Sequence, residues 1–315
     1  MKIVILDGHA LNPGDLDWDF LKQFGTVTYY DRTAGEALTM DRIGDADIIL
    51  LNKVAITEAV LAACPNLKLI CILATGYNVV DCAAAAKRGI PVCNIPGYGT
   101  NAVGQFTFAL LLELCHRVGL HDTSVHGGDW TACPDFCYWK SPQMELAGKT
   151  IGIIGYGAIG RAVAKIAEAF GMHVLAYSRT HYDGTDYVEL DTLLQQSDIV
   201  SLHCPLFPET EKMINAAALA KMKDGAILLN TARGALIDEA AVADALRSGK
   251  LRGAAVDVVS SEPISADNPL LSAPNCIITP HMAWAPVEAR QRILDIAETN
   301  IRGFLSGKPQ NVVNF

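Results

Sequence analysis

Short runs of β-branched and aromatic residues alternate with helical patterns along the first hundred residues. The strand-like runs are bounded by Gly, Asn, Asp or Pro and read KIVIL, TVTYY, DIILL, KLICIL and PVCNI. Patterns with helical spacing, such as TEAVLAAC, lie between them. Because strands that are connected through helices pair in parallel, this alternation predicts a parallel sheet with helices on both faces.

A second series of the same kind follows the glycine-rich passage NIPGYGTNAVGQ. Its strands are predicted at TIGIIG, HVLAYS, DIVSLH, AILLNTA, GAAVDV and NCIITP. The last helix, RQRILDIAETNIRGFL, is expected to return to the first sheet. The pattern therefore predicts an α/β protein with two doubly wound parallel-sheet domains, residues 1–99 plus 287–315 and residues 100–286.

Length and composition agree with two domains of a cytoplasmic protein. A chain of 315 residues exceeds the size at which a single core usually stops growing, about 250–300 residues. Mean hydropathy is +0.23, yet the apolar runs are shorter than the roughly 20 residues that cross a bilayer, so we expect no membrane association. The start of the chain reaches Asp7 without a signal-peptide pattern, and nine irregularly spaced cysteines are typical of a reducing compartment.

Charge and cysteine spacing narrow the choice of partners. A net charge of −9 disfavours nucleic-acid binding. Cys133 and Cys137 have no second pair at metal-ligand spacing, so we predict no metal site.

The strand TIGIIG runs into a glycine-rich turn and an amphipathic helix. Gly155, Gly157 and Gly160 stand in GxGxxG register, with Ala158 and Ile159 inside the motif. The first glycine permits a tight turn, the second lets a pyrophosphate approach the backbone, and the third lets the helix meet the strand. Because a helix N-terminus stabilises phosphate charge, this arrangement predicts a dinucleotide site.

The next strand ends in Ser178, Arg179 and Thr180, where an acidic residue would bind the ribose hydroxyls of NAD. A hydroxyl and a guanidinium instead suit the 2′-phosphate of NADP(H), which we expect to be preferred over NAD(H). The alternative is that Arg179 is a solvated loop residue and that Asp183 or Asp186 reaches the ribose.

Three polar residues follow consecutive predicted strands in the second series. Arg233 lies in NTARGALID, Glu262 in DVVSSEP and His281 in TPHMAW. Ligands bind at the carboxyl ends of such strands, so these residues are candidates for catalysis. Taken singly, each also suits an ordinary structural role, such as an ion pair between Arg233 and Asp238.

Together, these motifs resemble the D-isomer-specific 2-hydroxyacid dehydrogenases. The resemblance runs through ATGYNVVD, GYGTNAVGQFTFALL, LAGKTIGIIGYGAIG, LHCPL, NTARGALIDE, AAVDVVSSEP and TPHMAWAPVEAR, which span nearly the whole chain. It implies an NAD(P)-dependent enzyme with a Rossmann dinucleotide-binding domain, a flavodoxin-like substrate-binding domain and a homodimeric assembly.

The resemblance also implies roles for individual residues. His281 would exchange the proton with the substrate oxygen, Glu262 would support its imidazolium form, and Arg233 would bind the substrate carboxylate. The remaining substrate contacts would come from Thr75, Gly76, Tyr77 and Trp284. Further cofactor contacts would come from Val103, His203, Cys204, Pro205, Thr231, Ala232 and Asp257, the last at the nicotinamide carboxamide.

Within the family, the passages DFCYW and HMAWAPVEARQR look most like the glycerate dehydrogenase or hydroxypyruvate reductase branch. This resemblance implies reduction of hydroxypyruvate to D-glycerate and of glyoxylate to glycolate, with Trp139 and Trp284 as candidates for shaping the pocket. The alternatives are a D-lactate or D-2-hydroxyisocaproate type dehydrogenase, or a dinucleotide-sensing protein that resembles a corepressor.

Overall fold

Each strand series forms its own parallel sheet in the computed structural model, which describes residues 1–315. The chain divides into a first unit, Met1–Gly99 with Ala285–Phe315, and a second unit, Thr100–Trp284. Five strands form the sheet of the first unit, namely β1 (Lys2–Ile5), β2 (Thr26–Tyr29), β3 (Ile48–Leu51), β4 (Leu69–Ile72) and β5 (Val92–Cys93). Their order is β2-β1-β3-β4-β5, which is the flavodoxin-like arrangement.

Helices separate these strands as the pattern predicts. They are α1 (Glu36–Ile43), α2 (Glu58–Ala63) and α3 (Cys82–Lys87). The side chains of Thr57 and Asp81 accept hydrogen bonds from the first turns of α2 and α3, so each helix begins at a capping residue. Every residue of β3 and β4 is buried, as expected for central strands that have helices on both faces.

The second unit carries a seven-stranded parallel sheet in the order β12-β11-β10-β9-β6-β7-β8. Its strands are β6 (Thr150–Ile154), β7 (His173–Tyr177), β8 (Asp186–Tyr187), β9 (Ile199–Leu202), β10 (Ala226–Asn230), β11 (Leu251–Val256) and β12 (Cys276–Ile278). Its helices are α4 (Thr100–His116), α5 (Val118–His126), α6 (Ala158–Ala169), α7 (Leu190–Gln196), α8 (Ala216–Lys221) and α9 (Glu239–Arg247). The prediction of two doubly wound parallel sheets is confirmed, although β8 and α5 were not predicted.

Side chains on the two faces of the second sheet enter two different apolar cores. In β10, Leu228 belongs to the cluster under α7, α8 and α9, whereas Ile227 and Leu229 belong to the cluster under α4 and α6. This alternation follows from the two-residue period of a strand. It fixes the strands in register, and with them the loops at their carboxyl ends.

The chain returns to the first unit through α10 (Val287–Leu305). The buried side chain of Asn300 in this helix donates to the carbonyl oxygen of Asn94 at 3.0 Å. Beyond α10 the backbone reaches the edge of the first sheet, where Val313 donates to the carbonyl oxygen of Val92 at 2.9 Å. None of the helices is long and apolar enough to cross a membrane.

An ion pair between the buried Arg290 and the exposed Asp15 anchors the start of α10. Arg290, which is 8% exposed, donates to both carboxylate oxygens of Asp15 at 2.7 and 2.6 Å. It also donates to the carbonyl oxygens of Leu11 and Ala285. The guanidinium holds the pKa of the Asp15 carboxyl below its usual range. Because a buried charge is tolerated only when it is paired, this pair specifies how α10 packs within the unit.

Candidate active site

The three glycines after β6 have different structural reasons to be glycine. Gly155 has a φ of 95°, and a Cβ there would lie 2.4 Å from the backbone nitrogen of Cys204. A Cβ on Gly160 would lie 2.2 Å from the carbonyl oxygen of Gly155. No atom lies within 4 Å of a Cβ built on Gly157, so the backbone is open at that residue.

This open backbone stands directly before α6, whose first residue, Ala158, is exposed while Ile159 is half-buried. An accessible backbone at the N-terminus of a 12-residue helix is the environment that a pyrophosphate needs. The glycine loop therefore fits a dinucleotide, as the sequence predicts.

The segment after β7 carries the residues that the sequence assigns to the adenosine end of the cofactor. Ser178 is half-buried, whereas Arg179 and Thr180 are exposed. The Arg179 guanidinium lies 5.0 Å from the ring centroid of Phe207, and it forms no ion pair. The arginines that do form ion pairs are Arg88, Arg247, Arg290 and Arg302. A stacked guanidinium without a carboxylate partner keeps its charge available to an anion.

Aromatic contacts hold the rest of this segment against β8. The His181 ring stacks on Tyr187 with a centroid distance of 4.0 Å, and the Tyr187 hydroxyl accepts a hydrogen bond from the Tyr182 backbone at 2.9 Å. Asp183 and Asp186 are both exposed on the same segment. Their carboxylates are therefore accessible, and the alternative in which one of them binds the ribose stays open.

His203, Cys204 and Pro205 follow β9 and pass behind the glycine loop. The backbone N–H of His203 donates to the carbonyl oxygen of Ile154 at 2.7 Å. Its Nε2 atom lies 2.8 Å from the Ser201 hydroxyl, and its buried Nδ1 atom has no hydrogen-bond partner. Burial lowers the pKa of His203 to about 3, so the ring is neutral at physiological pH.

The loop after β10 carries Thr231, Ala232 and Arg233. Its backbone is held by Asn230, a residue that was not predicted from the sequence. The buried Asn230 amide donates to the carbonyl oxygen of Arg233 at 2.9 Å and accepts from the N–H of Ala232 at 3.1 Å. The Thr231 hydroxyl lies 3.1 Å from that of Thr107 on α4. The Arg233 side chain itself is exposed. The sequence does contain a signal for this role, because Asn230 is the only polar residue of β10 and stands at its carboxyl end.

Two close contacts place this loop relative to its neighbours. A Cβ on Gly234 would lie 1.9 Å from the carbonyl carbon of Val259, so the Arg233 loop packs directly on the turn that leads to Glu262. On the other side, the contact between Thr231 and Thr107 joins the loop to α4, where the Thr107 hydroxyl also donates to the carbonyl oxygen of the buried Val103.

The structure brings His281 and Glu262 together. The Nδ1 atom of His281 lies 2.7 Å from a carboxylate oxygen of Glu262, and both side chains are about one-third exposed, at 32% and 36%. His281 has a φ of 53°, in the left-handed region that residues other than glycine seldom adopt. Unusual backbone conformations of this kind persist where the surroundings impose them, and they concentrate at functional sites.

A buried carboxylate imposes this conformation. Asp257, which is 1% exposed, accepts a hydrogen bond from the Thr279 hydroxyl at 2.6 Å. It also accepts from the backbone of Met282 at 2.9 Å and of Ala283 at 2.8 Å. These donors lie on both sides of His281. Asp257 is predicted at the nicotinamide carboxamide, but both of its oxygens are engaged by this turn, a function that the sequence did not reveal.

Trp284 closes the same turn. Its indole N–H donates to the carbonyl oxygen of His281 at 2.8 Å, which fixes the half-buried ring beside the catalytic candidate. Trp139, in contrast, is 69% exposed and lines a surface groove with His121 and Tyr138.

In the first unit, the loop after β4 carries Thr75, Gly76 and Tyr77. The Thr75 hydroxyl donates to the carbonyl oxygen of Ile95 at 2.8 Å, and the carbonyl oxygen of Thr75 accepts from Asn94 at 2.8 Å. The N–H groups of Gly76 and Tyr77 donate to no acceptor within the chain. A loop that is fixed at one end and presents free N–H groups can bind a carboxylate.

Glu262, His281 and Arg233 thus follow three adjacent strands, β11, β12 and β10. With Nδ1 of His281 bonded to Glu262, the Nε2 atom remains to exchange a proton with a ligand. An exposed guanidinium on the adjacent loop can bind a carboxylate in two-point geometry. No cluster of three or more His, Cys, Asp or Glu side chains is arranged to hold a metal ion.

A family model described as "D-isomer specific 2-hydroxyacid dehydrogenase, NAD binding domain" matches residues 108–283. The chain belongs to this family of dehydrogenases. It is 56% identical to a hydroxypyruvate reductase of Blautia hydrogenotrophica over an alignment that covers 100% of both chains. A glycerate dehydrogenase of Methylorubrum extorquens is 44% identical, with 99% of this chain and 98% of the relative covered.

The solved structure of an acyclic imino acid reductase (Bsp5) in complex with NADPH and D-Arg is similar to this chain, with a TM-score of 0.87 and 31% sequence identity. The similarity covers 99% of this chain and 100% of that one. The predicted family and fold are therefore confirmed, and the protein is an oxidoreductase that uses a nicotinamide cofactor and acts on a small 2-hydroxy or 2-oxo acid.

Proposed function

We propose that this dehydrogenase reduces hydroxypyruvate to D-glycerate and glyoxylate to glycolate, with NADPH as the preferred reductant. The observation that carries the proposal is the 2.7 Å contact between His281 and Glu262. It lies at the carboxyl ends of the parallel strands, where the glycine loop also lies. Support for the substrate comes from relatives that are named hydroxypyruvate reductase and glycerate dehydrogenase.

Each residue of the site has one task in this proposal. The bound nicotinamide supplies the hydride that reduces the carbonyl carbon. His281 donates a proton from Nε2 to the carbonyl oxygen as negative charge grows on it. Glu262 stabilises the imidazolium through Nδ1, and Arg233 binds the carboxylate of the 2-oxo acid and polarises its carbonyl group.

The preference for NADPH rests on the segment after β7. Arg179 presents a guanidinium stacked on Phe207, and Ser178 adds a hydroxyl beside it. Both groups can donate hydrogen bonds to a 2′-phosphate, whereas neither offers the two carboxylate oxygens that accept hydrogen bonds from the two ribose hydroxyls. The similar acyclic imino acid reductase was solved with NADPH, which supports the same assignment.

Initial rates with NADPH and NADH test the proposal. Hydroxypyruvate, glyoxylate, pyruvate and 2-oxoisocaproate should be compared by kcat/KM with each cofactor. We expect hydroxypyruvate to rank first and NADPH to be preferred more than about tenfold, which corresponds to roughly 1.4 kcal/mol. A preference for 2-oxoisocaproate would contradict the substrate assignment. Equal or better turnover with NADH would contradict the role of Arg179.

We also propose that the enzyme is a homodimer formed through the second unit. An unusual number of large apolar side chains is exposed on α5 and the loop after it, namely Val118, Leu120, Val125, Trp130, Phe136 and Trp139. Some of them line an open groove with a volume of about 550 Å³. Exposed apolar surface of this extent is typical of an interface.

Analytical ultracentrifugation tests the assembly. We expect a dimer for the natural chain and a monomer for the Val118→Asp, Leu120→Asp double variant. Leu38→Asp in the first unit, at a side chain 39% exposed, is the matched control and should remain dimeric. A natural chain that sediments as a monomer at micromolar concentration would overturn the assembly without affecting the proposed reaction.

A further inference from the structure

Glu239, in the first turn of α9, holds the turn that carries Glu262. One of its carboxylate oxygens accepts a hydrogen bond from the backbone N–H of Ser260 at 2.7 Å, and the other accepts from the Ser260 hydroxyl at 2.7 Å. The second oxygen also accepts from the side-chain amide of Asn268 at 3.0 Å. Hydrogen bonds to an ionised acceptor are about twice as strong as neutral ones, so this is a firm attachment.

Glu262 has little else to hold it in place. Its side chain is 36% exposed, and apart from the contact with His281 its only hydrogen bond is with the backbone N–H of Val259, at 3.3 Å. The position of its carboxylate is therefore set by the backbone of the turn from Val259 to Glu262. Glu239 accepts a hydrogen bond from the middle of that turn, at the backbone N–H of Ser260.

Glu239 itself stands on a rigid base. The preceding residue, Asp238, caps α9 by accepting a hydrogen bond from the N–H of Ala241 at 3.2 Å. The Glu239 carboxylate is therefore not needed to cap the helix. Two of its three hydrogen bonds come from Ser260 in the turn, and the third comes from Asn268.

We propose that Glu239 is a positioning residue that sets the contact between Glu262 and His281, and thereby the highest pH at which the enzyme reduces its substrate. The inference rests on the proposed dehydrogenase function. The charged groups around the His281 turn are Glu262, which contacts the ring, Asp257, beneath the backbone, and Arg233, on the loop after β10, two strands from β12. Of these, Glu262 lies on the turn that Glu239 holds directly, whereas the Arg233 loop meets that turn only through the packing of Gly234 on Val259.

The sign of the effect follows from the chemistry of reduction. His281 must be protonated to donate, and a carboxylate at 2.7 Å favours the protonated ring. Releasing the turn weakens that contact, so the rate of reduction should fail at a lower pH than in the natural enzyme.

Three variants test the proposal. Glu239→Ala removes every contact to the turn, Glu239→Gln keeps one carbonyl oxygen for the Ser260 N–H, and Ser260→Ala removes only the hydroxyl contact. We expect kcat for hydroxypyruvate at pH 8 to fall about tenfold in Glu239→Ala and about threefold in the other two. The pH of half-maximal rate should fall in the same order, and the Kd of NADPH should stay within about twofold.

Two controls separate positioning from general support of the fold. Glu36→Ala removes an acidic residue from the first turn of α1, which shares the helix-end environment but lies in the other unit, and it should leave the pH profile unchanged. In a Glu262→Gln background, Glu239→Ala should change kcat less than about twofold, because the residue through which it acts is already altered. Effects that multiply, or a lower kcat with an unmoved pH profile, would overturn the proposal.

A readout without turnover keeps this proposal distinct from the proposed function. If the natural chain reduces no 2-oxo acid, the proposed function fails, and the Nδ1 proton of His281 can still be observed by NMR at low temperature. An imidazole N–H bonded to a carboxylate gives a signal shifted far downfield. We expect this signal in the natural chain and in Glu36→Ala, and its loss in Glu239→Ala; a signal that persists in Glu239→Ala contradicts the positioning role.

Discussion

The turn Thr279–Ala283 and the segment Ser178–Tyr187 follow the carboxyl ends of strands in one parallel sheet, β12 and β7, yet they are held in opposite ways. The first is fixed by the buried carboxylate of Asp257, which accepts three hydrogen bonds from it. The second is held by ring contacts at the surface, with Arg179 exposed above Phe207. The turn that carries the proposed proton donor is thus fixed by a buried side chain, whereas Arg179, which we propose selects the cofactor, can be replaced without disturbing the core.

The largest effect should come from removing the group that the first turn presents. His281→Ala should lower kcat/KM for hydroxypyruvate by about 10³-fold, within the range of general acid catalysis. The Kd of NADPH, measured by fluorescence titration, should stay within about twofold. A loss of activity below tenfold would show that the proton comes from elsewhere.

Asp257→Ala should remove the three hydrogen bonds that fix that turn, while the His281 side chain itself is retained. We expect kcat to fall about 10²-fold, since misplacement of a catalytic group by about 1 Å has this cost. Thr279→Val removes one of the three hydrogen bonds and should cost only a few-fold. If Asp257→Ala instead raises only the Kd of NADPH and leaves kcat intact, the carboxylate serves the cofactor rather than the turn.

Acidification should lower the free energy of unfolding through His203, which lies behind the glycine loop. Its pKa is lowered to about 3 in the folded protein, whereas the ordinary value of 6.5 applies when the chain is unfolded. The unfolded chain therefore binds the extra proton, and stability falls as pH falls below 6.5. Between pH 6.5 and 5 this histidine should account for a loss of about 2 kcal/mol.

Urea unfolding at pH 7 and pH 5 measures this contribution in the natural chain and in His203→Gln. The glutamine variant should lose about 2 kcal/mol less stability over the same change in pH, because the residue no longer titrates. An identical pH dependence in the two proteins would mean that folding does not lower the pKa of His203.

The smallest effect is expected at the exposed segment. Arg179→Ala should lower kcat/KM with NADPH about tenfold and leave the value with NADH within about twofold, which corresponds to losing roughly 1.4 kcal/mol of discrimination. Arg252→Ala, an arginine that contacts the carbonyl oxygen of Pro142 elsewhere in the unit, is the control and should alter neither value. Equal losses with both cofactors would contradict a phosphate-specific role.

The strands and the glycine loop could be predicted from the sequence because their signals are local. Buried runs such as those of β3 and β9 lie between turn residues, and the spacing of Gly155, Gly157 and Gly160 follows directly from the turn that they form. The meeting of Glu262 with His281 could be expected from strand topology and from the family resemblance. These features need no knowledge of side-chain partners.

The supports of the site could not be predicted, because they join residues that are distant in sequence and leave no periodic trace. Asp257 contacts a backbone N–H 26 residues away, at Ala283, and Glu239 contacts one 21 residues away, at Ser260. The two-residue strand β8 is too short to give an alternating pattern. Its place depends on rings from other segments, among them the edge-on contact of Tyr156 with Tyr187.

The return of α10 to the first unit has a consequence for how the protein is made. During translation, β5 emerges before the second unit, but the residues that pair with its edge, near Val313, emerge after it. At about 5–20 residues per second, residues 100–284 occupy the ribosome for roughly 10–40 s. The inserted unit can fold in that time, while the edge of β5 stays open to chaperones or to other nascent chains until the residues beyond α10 arrive.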